Sequence, residues 1–184
     1  MIRTPIDPSK ILVIGCSGSG KSTLSKLLAN ELNLPVLHLD QVWHKTNYDE
    51  EGKKHLVDTQ HKFVSDNECF IIDGNYSWAL NARIPHATLI IWLKVPRRVS
   101  LTRVLKRTVL NNVGLKKRTD MADNFKEKFN RDYFEFLKFV YTFEKKFTPE
   151  MENLLKSKNP NTTLVIIRNR REMKAFLELG LENK

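Results

Sequence analysis

Short apolar runs divide the chain into predicted buried strands separated by helical segments. Continuous, mostly β-branched runs bounded by glycine, proline or polar residues predict five strands, at 10–14, 36–39, 69–73, 88–93 and 163–167. Between them, apolar positions at helical spacing predict helices at 21–32, 49–64, 96–112, 123–147 and 172–179. This alternation predicts an α/β fold with a parallel sheet flanked by helices on both faces. No linker composition or internal repeat interrupts the pattern, so we expect a single domain over residues 1–184.

Two of the predicted helices carry informative side chains. In 96–112, Leu101, Leu105 and Val109 are expected to face inward, whereas Arg103 and Arg107 are expected on the outer face, one turn apart. In 123–147 a mainly aromatic stripe recurs at helical spacing, and its members are Phe129, Tyr133, Phe136, Val140, Phe143 and Phe147. We interpret the stripe as a core or packing surface rather than a platform for stacking nucleic-acid bases.

The net charge of the chain lies in its second half. The chain has 31 basic and 21 acidic residues, a net charge of +10, and residues 97–131 alone hold 11 basic and 3 acidic residues. Such a block attracts polyanions, either nucleotide phosphates or nucleic acid, although a solvated basic helix face has the same composition. No apolar run could span a membrane, no secretory signal is evident, and the two cysteines are expected to be free thiols. We therefore expect a cytoplasmic protein.

The turn between the first predicted strand and the first predicted helix carries the strongest chemical signal. Residues 15–22, Gly-Cys-Ser-Gly-Ser-Gly-Lys-Ser, match the phosphate-loop pattern G-x-x-x-x-G-K-[ST] in full and in the required context. Its backbone N–H groups are expected to converge on phosphate oxygens, Lys21 to reach the β and γ phosphates, and the Ser22 hydroxyl to ligate Mg²⁺. The predicted ATP contacts are Gly15, Cys16, Ser17, Gly18, Ser19, Gly20, Lys21, Ser22 and Thr23.

Motifs that the sequence lacks narrow the class of nucleotide-binding protein. The chain has no Asn-Lys-x-Asp guanine motif, and its third strand ends in Asp-Gly without the Asp-Glu pair of many motor ATPases. It is also too short for a helicase or transporter core. The remaining class is that of small kinases, which close a basic lid over the phosphates. We expect the lid at about 112–124, with Arg118 in it and Arg103 and Arg107 at its base.

The chain resembles a known family in these motifs and in several others. The phosphate loop, His-Leu-Asp at 38–40, Ile-Ile-Asp-Gly-Asn-Tyr at 71–76, Arg83 and Thr-Asp-Met-Ala at 119–122 are similar to motifs of the FlaR-type DNA topology modulation proteins, a branch of the adenylate-kinase-like P-loop kinases. The resemblance implies a P-loop NTPase fold with strand order 2-3-1-4-5 and a helical lid between strands four and five. It also implies an adenine ring near the end of strand five, close to Arg168 and Arg170. Two positions depart from the family, which often has Asp and Cys in place of Lys94 and Asn124.

Polar residues that follow the second and third predicted strands are the candidates for the metal and acceptor sites. Asp73 is expected to hold Mg²⁺ through water, with a capping role at the turn as the alternative. Asp40 is expected to act as a general base, and a capping role is equally open for it. Together with these two carboxylates, Asn75, Tyr76 and Arg83 are predicted to bind the acceptor.

Residues close to Asp40 have weaker functional signals. His38 lies inside a predicted strand, and we interpret it as a core histidine rather than a catalytic residue. Trp43, His44 and Tyr48 follow Asp40 in a predicted loop, where they are candidates to cover an acceptor base or sugar.

Two functions fit the sequence. The favoured one is a kinase that transfers the γ-phosphoryl group of ATP to a nucleoside, nucleotide or similar small acceptor. Its predicted catalytic residues are Lys21, Asp40, Arg103, Arg107 and Arg118, and Arg103 and Arg168 are further predicted contacts to ATP. The alternative is a nucleic-acid-associated regulatory ATPase, which is less favoured because the lid already accounts for the basic block. Asp40 favours a hydroxyl acceptor whereas Arg83 would suit a phosphate, so the identity of the acceptor stays open.

Overall fold

A parallel sheet of five strands in the order β2-β3-β1-β4-β5 lies at the centre of the fold, which confirms the expected order. The computed structural model describes residues 6–112 and 130–180. The strands are β1 (Lys10–Gly15), β2 (Val36–His38), β3 (Phe70–Asp73), β4 (Leu89–Leu93) and β5 (Thr163–Ile167). The α-helices of the described part are α1 (Lys21–Leu32), α2 (Leu39–Trp43), α3 (Glu50–Asp66), α4 (Arg97–Asn112), α5 (Arg131–Leu154) and α6 (Arg170–Gly180). Short 3₁₀ segments lie at Ser77–Ala82, Ile84–His86 and Leu155–Ser157.

The central strands are buried on both faces because alternate residues point into two separate cores. On one face, Leu12 and Ile14 of β1 pack with residues from α3, the 3₁₀ segments and the end of α5. On the other face, Ile11 and Val13 pack with Leu24 and Leu28 of α1 and with residues of α6. The continuous apolar run of β1 is therefore the signature of a strand covered by helices on both sides.

The second strand is shorter than its apolar pattern predicted. β2 ends at His38, and α2 begins at Leu39, so Asp40 lies in the first turn of a helix. The expectation that Asp40 follows the end of a longer strand is wrong by about one residue. At this point Leu39 is fully buried against Gly74, where an added Cβ would lie 2.7 Å from Leu39 Cβ.

The predicted inner face of α4 is right for Leu101, which packs partly buried against the core, and wrong for Leu105 and Val109. Ser100, Val104 and Thr108 are fully buried, whereas Leu105 and Val109 are 39% and 51% exposed. Small residues face inward because α4 packs directly on the phosphate loop, where only small side chains fit, and on α5. The apolar positions of α4 occupy two sides of the helix, so their spacing alone does not decide which side is buried.

The aromatic stripe of α5 is confirmed as a packing surface over its described members. Tyr133, Val140 and Phe143 are buried, and Phe136 and Phe147 are partly buried in the same cluster. The helix runs to Leu154, further than predicted, and Asn130 caps its start by accepting the N–H of Tyr133. Phe129, Arg118, Asn124 and the predicted lid beyond residue 112 lie outside the described residues.

None of the helices within the described ranges has both the length and the apolar character needed to cross a membrane.

Candidate active site

The loop between β1 and α1 is shaped to hold an anion. Gly15, Gly18 and Gly20 have φ angles of 141°, 80° and 105°, in the region that favours glycine. At Gly18 a Cβ would lie 2.4 Å from the carbonyl oxygen of Ser100, so the loop approaches α4 too closely for any side chain. Gly20 is the N-cap of α1, and no side chain caps that helix start. Its first backbone N–H groups and the positive end of the helix dipole therefore remain available to a phosphate.

The polar side chains of this loop take different positions. Lys21 Nζ donates to the carbonyl oxygen of Cys16 over 3.2 Å, so the lysine side chain lies across its own loop. Ser17 and Ser22 are partly buried, and Thr23 is exposed in the first turn of α1. The buried hydroxyl of Ser19 has no hydrogen-bond partner in the described structure.

A cavity of about 550 Å³ adjoins the loop between α1, the start of α4 and the β5–α6 connection. Its volume lies in the usual range for small-ligand sites. Ser19, Gly20 and Thr23 line it on the loop side, and Arg168 and Arg170 line it after β5. Arg168 and Arg170 therefore lie at the edge of a cavity next to the end of β5, where the resemblance to FlaR-type proteins implies an adenine ring.

Arg103 lies against the loop itself. Its Nη1 donates to the carbonyl oxygen of Ser19 over 3.0 Å, and its side chain also lines the cavity. Arg107 lies one turn further along α4 and is partly buried, with its Nε shielded from solvent. The expected outer position therefore fits Arg103, which is exposed, whereas Arg107, four residues later, is partly buried. Their catalytic roles stay predictions.

Cys16 is a buried free thiol beneath α5, and Cys69 is an exposed one. The Cys16 Sγ lies 3.9 Å from the carbonyl oxygen of Val140. Burial raises the pKa of the Cys16 thiol to about 11, although the charge of Lys21 and the backbone N–H of Ser17 act in the opposite direction. Burial therefore outweighs both of these effects, and this thiol is protonated at neutral pH.

The strand register aligns three segments at the edge of the sheet that carries the loop. His38 pairs with Asp73, and Asp73 pairs with Val13, so these three residues lie level with one another at this edge. This arrangement is confirmed by a direct contact, because the backbone N–H of Gly15 donates to Asn75 Oδ1 over 3.2 Å. Asn75 therefore supports the start of the phosphate loop.

Asp73 and His38 form a buried pair at this edge. His38 Nδ1 lies 2.9 Å from Asp73 Oδ2, which confirms His38 as a core histidine with a hydrogen-bond partner. The other carboxylate oxygen of Asp73 is buried and has no hydrogen-bond partner among the described residues. In the part of the chain that the structure describes, no group of three or more histidine, cysteine or acidic side chains is arranged to hold a metal.

Asp40 is bound by Tyr76, a residue 36 positions away in the sequence. The Tyr76 hydroxyl donates to Asp40 Oδ1 over 2.8 Å. Burial raises the pKa of Tyr76, and the negative charge of Asp40 raises it further, so the phenol stays a protonated donor. Two predicted acceptor residues are thus brought together, and Asp40 has a polar partner instead of capping a backbone N–H.

Arg83 occupies a different place from the one predicted. Its side chain has no exposed surface, so in this structure it does not line a pocket open to an acceptor. The guanidinium donates to Gln60 Oε1 over 2.6 Å and to the carbonyl oxygens of Ala79 and Gly74, each over 3.1 Å. Burial lowers the pKa of this arginine, whereas the charge of Asp73 raises it. Arg83 therefore braces the turn that follows β3.

Four aromatic rings cluster beside Asp40. Trp43 is the hub, with ring centroids 5.5 Å from Tyr48, 5.9 Å from Tyr76 and 5.6 Å from Trp78. Tyr76 and Trp78 also contact each other at 5.8 Å. We call these four residues the aromatic wall. Three of the four, Trp43, Tyr48 and Tyr76, were candidates from the sequence, whereas Trp78 was missed. The available signal for Trp78 was its position two residues after Tyr76. The sequence also gave no indication that Gln60 would bind Arg83.

The chain is similar to solved structures of small kinases over nearly its whole length. It matches a shikimate kinase from Acinetobacter baumannii with a TM-score of 0.54 and 14% identity, covering 97% of each chain. It matches a shikimate kinase from Bacteroides thetaiotaomicron with a TM-score of 0.52 and 17% identity, covering 91% of this chain and 93% of the other. A gluconokinase from Sinorhizobium meliloti 1021 gives a TM-score of 0.52 and 15% identity, covering 98% and 97%.

These matches and the sheet topology define the fold as that of the P-loop kinases. No family model matches the chain, and no curated protein sequence matches it. The likeness to FlaR-type proteins therefore stays a resemblance in motifs.

Proposed function

We propose that this chain is an ATP-dependent kinase that transfers the γ-phosphoryl group of ATP to a hydroxyl group of a small acceptor, with Asp40 as the general base. The observation that carries the proposal is the hydrogen bond from the Tyr76 hydroxyl to Asp40 Oδ1, at the sheet edge that also bears the phosphate loop. An ionised carboxylate accepts several hydrogen bonds, so Asp40 can be held by Tyr76 and still receive a proton. The similar folds belong to proteins named shikimate kinase and gluconokinase, which supports a small-molecule acceptor.

In the proposed reaction the acceptor hydroxyl oxygen bonds to the γ-phosphorus while the bond between that phosphorus and the bridging oxygen of ADP breaks. The hydroxyl proton passes to Asp40, and the electron pair of the broken bond leaves with ADP. Lys21 and Arg103, which both contact the loop, would stabilise charge on the phosphate oxygens, and Arg107 and Arg118 are further candidates for that role.

Mg²⁺, which this class of fold implies, fits the residues at the sheet edge. Asp73 has an unpaired buried carboxylate oxygen, which suits a water molecule bound to the ion. Ser22, in the first turn of α1, would supply a direct ligand. Two such groups are enough to hold the ion, because Mg²⁺ usually keeps several water ligands and takes few ligands from the protein. When bound, the ion would neutralise charge on the phosphates.

The substitution Asp40→Asn tests the assignment of the base. A panel of hydroxyl acceptors and nucleoside monophosphates is screened with labelled ATP, and kcat is then measured on the best acceptor. We expect Asp40→Asn to lower kcat by roughly 10²–10⁴, the usual scale for losing a general base, while ATP affinity barely changes. Asp58→Asn, an exposed carboxylate on α3, is the matched control and should leave kcat unchanged.

A monophosphate acceptor predicts a different result. Its phosphate is already ionised at neutral pH, so its kinase needs positioning and positive charge but no base. Near-normal turnover of Asp40→Asn would therefore assign Asp40 to a structural role and favour a phosphate acceptor.

A further inference from the structure

The aromatic wall combines packing within the protein with aromatic rings that remain partly exposed to solvent. Trp43 and Tyr76 are partly buried and contact other rings of the wall. Tyr48 and Trp78 also contact Trp43, yet they remain 54% and 44% exposed. The wall therefore presents aromatic surface that no described part of the chain covers.

The backbone at Tyr48 is strained so that this ring is held in place. Tyr48 has a φ of +63°, a conformation that is uncommon for a bulky aromatic residue and costs about 1 kcal/mol or more. Local bonds keep it there: its N–H donates to Thr46 Oγ1, and its hydroxyl lies 3.0 Å from His44 Nδ1. Strain that is kept by several surrounding contacts is found most often at ligand sites, and here it positions an exposed ring.

The wall is joined directly to the proposed base. Tyr76 contributes its ring to the wall and its hydroxyl to Asp40, so this one residue links the wall to that carboxylate. Both tyrosine hydroxyls already have partners inside the protein, on His44 and on Asp40. The exposed surface of the described wall is therefore mainly aromatic, whereas a polyol would require many polar partners for its hydroxyl groups.

We propose that the aromatic wall stacks the base of a nucleoside acceptor, whose sugar hydroxyl then lies at Asp40 and receives the phosphoryl group. Every nucleobase has a flat face, and stacking on tyrosine or tryptophan is a usual means of binding it. The inference rests on the proposed kinase function and deepens it, because it selects the acceptor class. In the transfer the sugar hydroxyl oxygen bonds to the γ-phosphorus, and the hydroxyl proton passes to Asp40. The bond between the γ-phosphorus and the bridging oxygen of ADP breaks, and its electron pair leaves with ADP.

Tryptophan fluorescence and kinetics test the proposal with adenosine and cytidine as probes and shikimate as a hydroxyl acceptor without an aromatic base. Trp43 and Trp78 belong to the wall, whereas Trp92 is buried in the sheet. We expect a saturable change in fluorescence with at least one nucleoside, ATP-dependent phosphorylation of that nucleoside, and neither response with shikimate.

Substitutions at Trp78 separate stacking from a merely structural role. We expect Trp78→Ala to raise KM for the nucleoside about tenfold, within the range that stacking free energies predict, and to change kcat less than about threefold. Trp78→Phe, which keeps a ring, should restore most of the affinity. Tyr141→Ala removes a ring of similar exposure on α5, outside the wall, and should change neither constant.

Three outcomes would overturn the inference while leaving the kinase proposal in place. These are phosphorylation of shikimate but of neither nucleoside, an unchanged KM in Trp78→Ala, and equal losses in Trp78→Ala and Trp78→Phe. Failure of the kinase proposal has a different signature: nucleosides change the fluorescence of the wild-type chain, yet no acceptor in the panel is phosphorylated.

Discussion

The proposed donor side and the proposed acceptor side of this site are built in different ways. The donor side consists of the contiguous segment 15–23 and the cavity beside it, and glycine backbone geometry shapes it. The proposed acceptor side consists of Asp40, Asp73, Tyr76 and the aromatic wall, which come from separate parts of the chain, and the buried Arg83 braces the turn that follows β3. One side therefore depends on a local motif, and the other on side chains that meet only in the folded protein.

The difference has energetic consequences. On the donor side, backbone N–H groups and the positive end of α1 attract phosphate without any buried charged side chain. On the acceptor side, a fully buried guanidinium and a buried carboxylate must be held by hydrogen bonds, because burying either one alone is costly. We therefore expect changes to this buried guanidinium or carboxylate to destabilise the fold, and changes on the proposed donor side to affect mainly nucleotide binding.

Arg83→Met should give the largest effect, because three buried acceptors would lose their donor. These are Gln60 Oε1 and the carbonyl oxygens of Gly74 and Ala79. We expect the free energy of unfolding in urea to fall by about 3 kcal/mol. The control Arg98→Met, at an exposed position on α4, should stay within about 0.5 kcal/mol of the wild type. If both variants are equally stable, the acceptor side does not depend on its buried arginine.

Lys21→Ala should have the converse effect and abolish stabilisation by ATP while leaving the unliganded fold intact. At ATP concentrations a hundred times its Kd, a bound ligand contributes about 2.7 kcal/mol, or roughly 5–10 °C in Tm for a chain of this size. We expect this shift in the wild type and in the exposed control Lys54→Ala, and its loss in Lys21→Ala. Equal shifts in all three proteins would contradict the assignment of the donor side.

Alkylation of the two cysteines should give the smallest effect and tests how closely the donor side is packed. With a thiol pKa of about 11, Cys16 has about one thiolate in a thousand molecules at pH 8, and α5 covers it. We expect iodoacetamide at pH 8 to modify the exposed Cys69 alone, as read by mass spectrometry, and Cys16 to react only as the pH approaches 11 or in urea. A Cys69→Ser variant should stay unmodified at pH 8. Labelling of Cys16 at a rate similar to that of Cys69 would contradict the burial.

Much of the fold could be read from the sequence because its signals are local. The apolar runs of β1, β3, β4 and β5 are as long as strands buried on both faces, and the helices between them require parallel pairing. The exact end of β2 and the inner face of α4 could not be read in this way. Leu39 is buried in contact with Gly74, and α4 buries Ser100 and Val104 because the loop around Gly18 lies against them; both contacts join distant parts of the chain.

The sequence by itself determined the phosphate loop, since its glycines, its lysine and the following helix are consecutive residues whose geometry follows from local backbone rules. It also supplied Asp40, Asp73 and Tyr76 as candidates. Only the tertiary structure decided that Tyr76 holds Asp40, that Arg83 is buried as a brace, and that Trp78 completes the aromatic wall. The physical reason is that these contacts join residues brought together by strand register and core packing, and such long-range contacts leave no periodic trace in the chain.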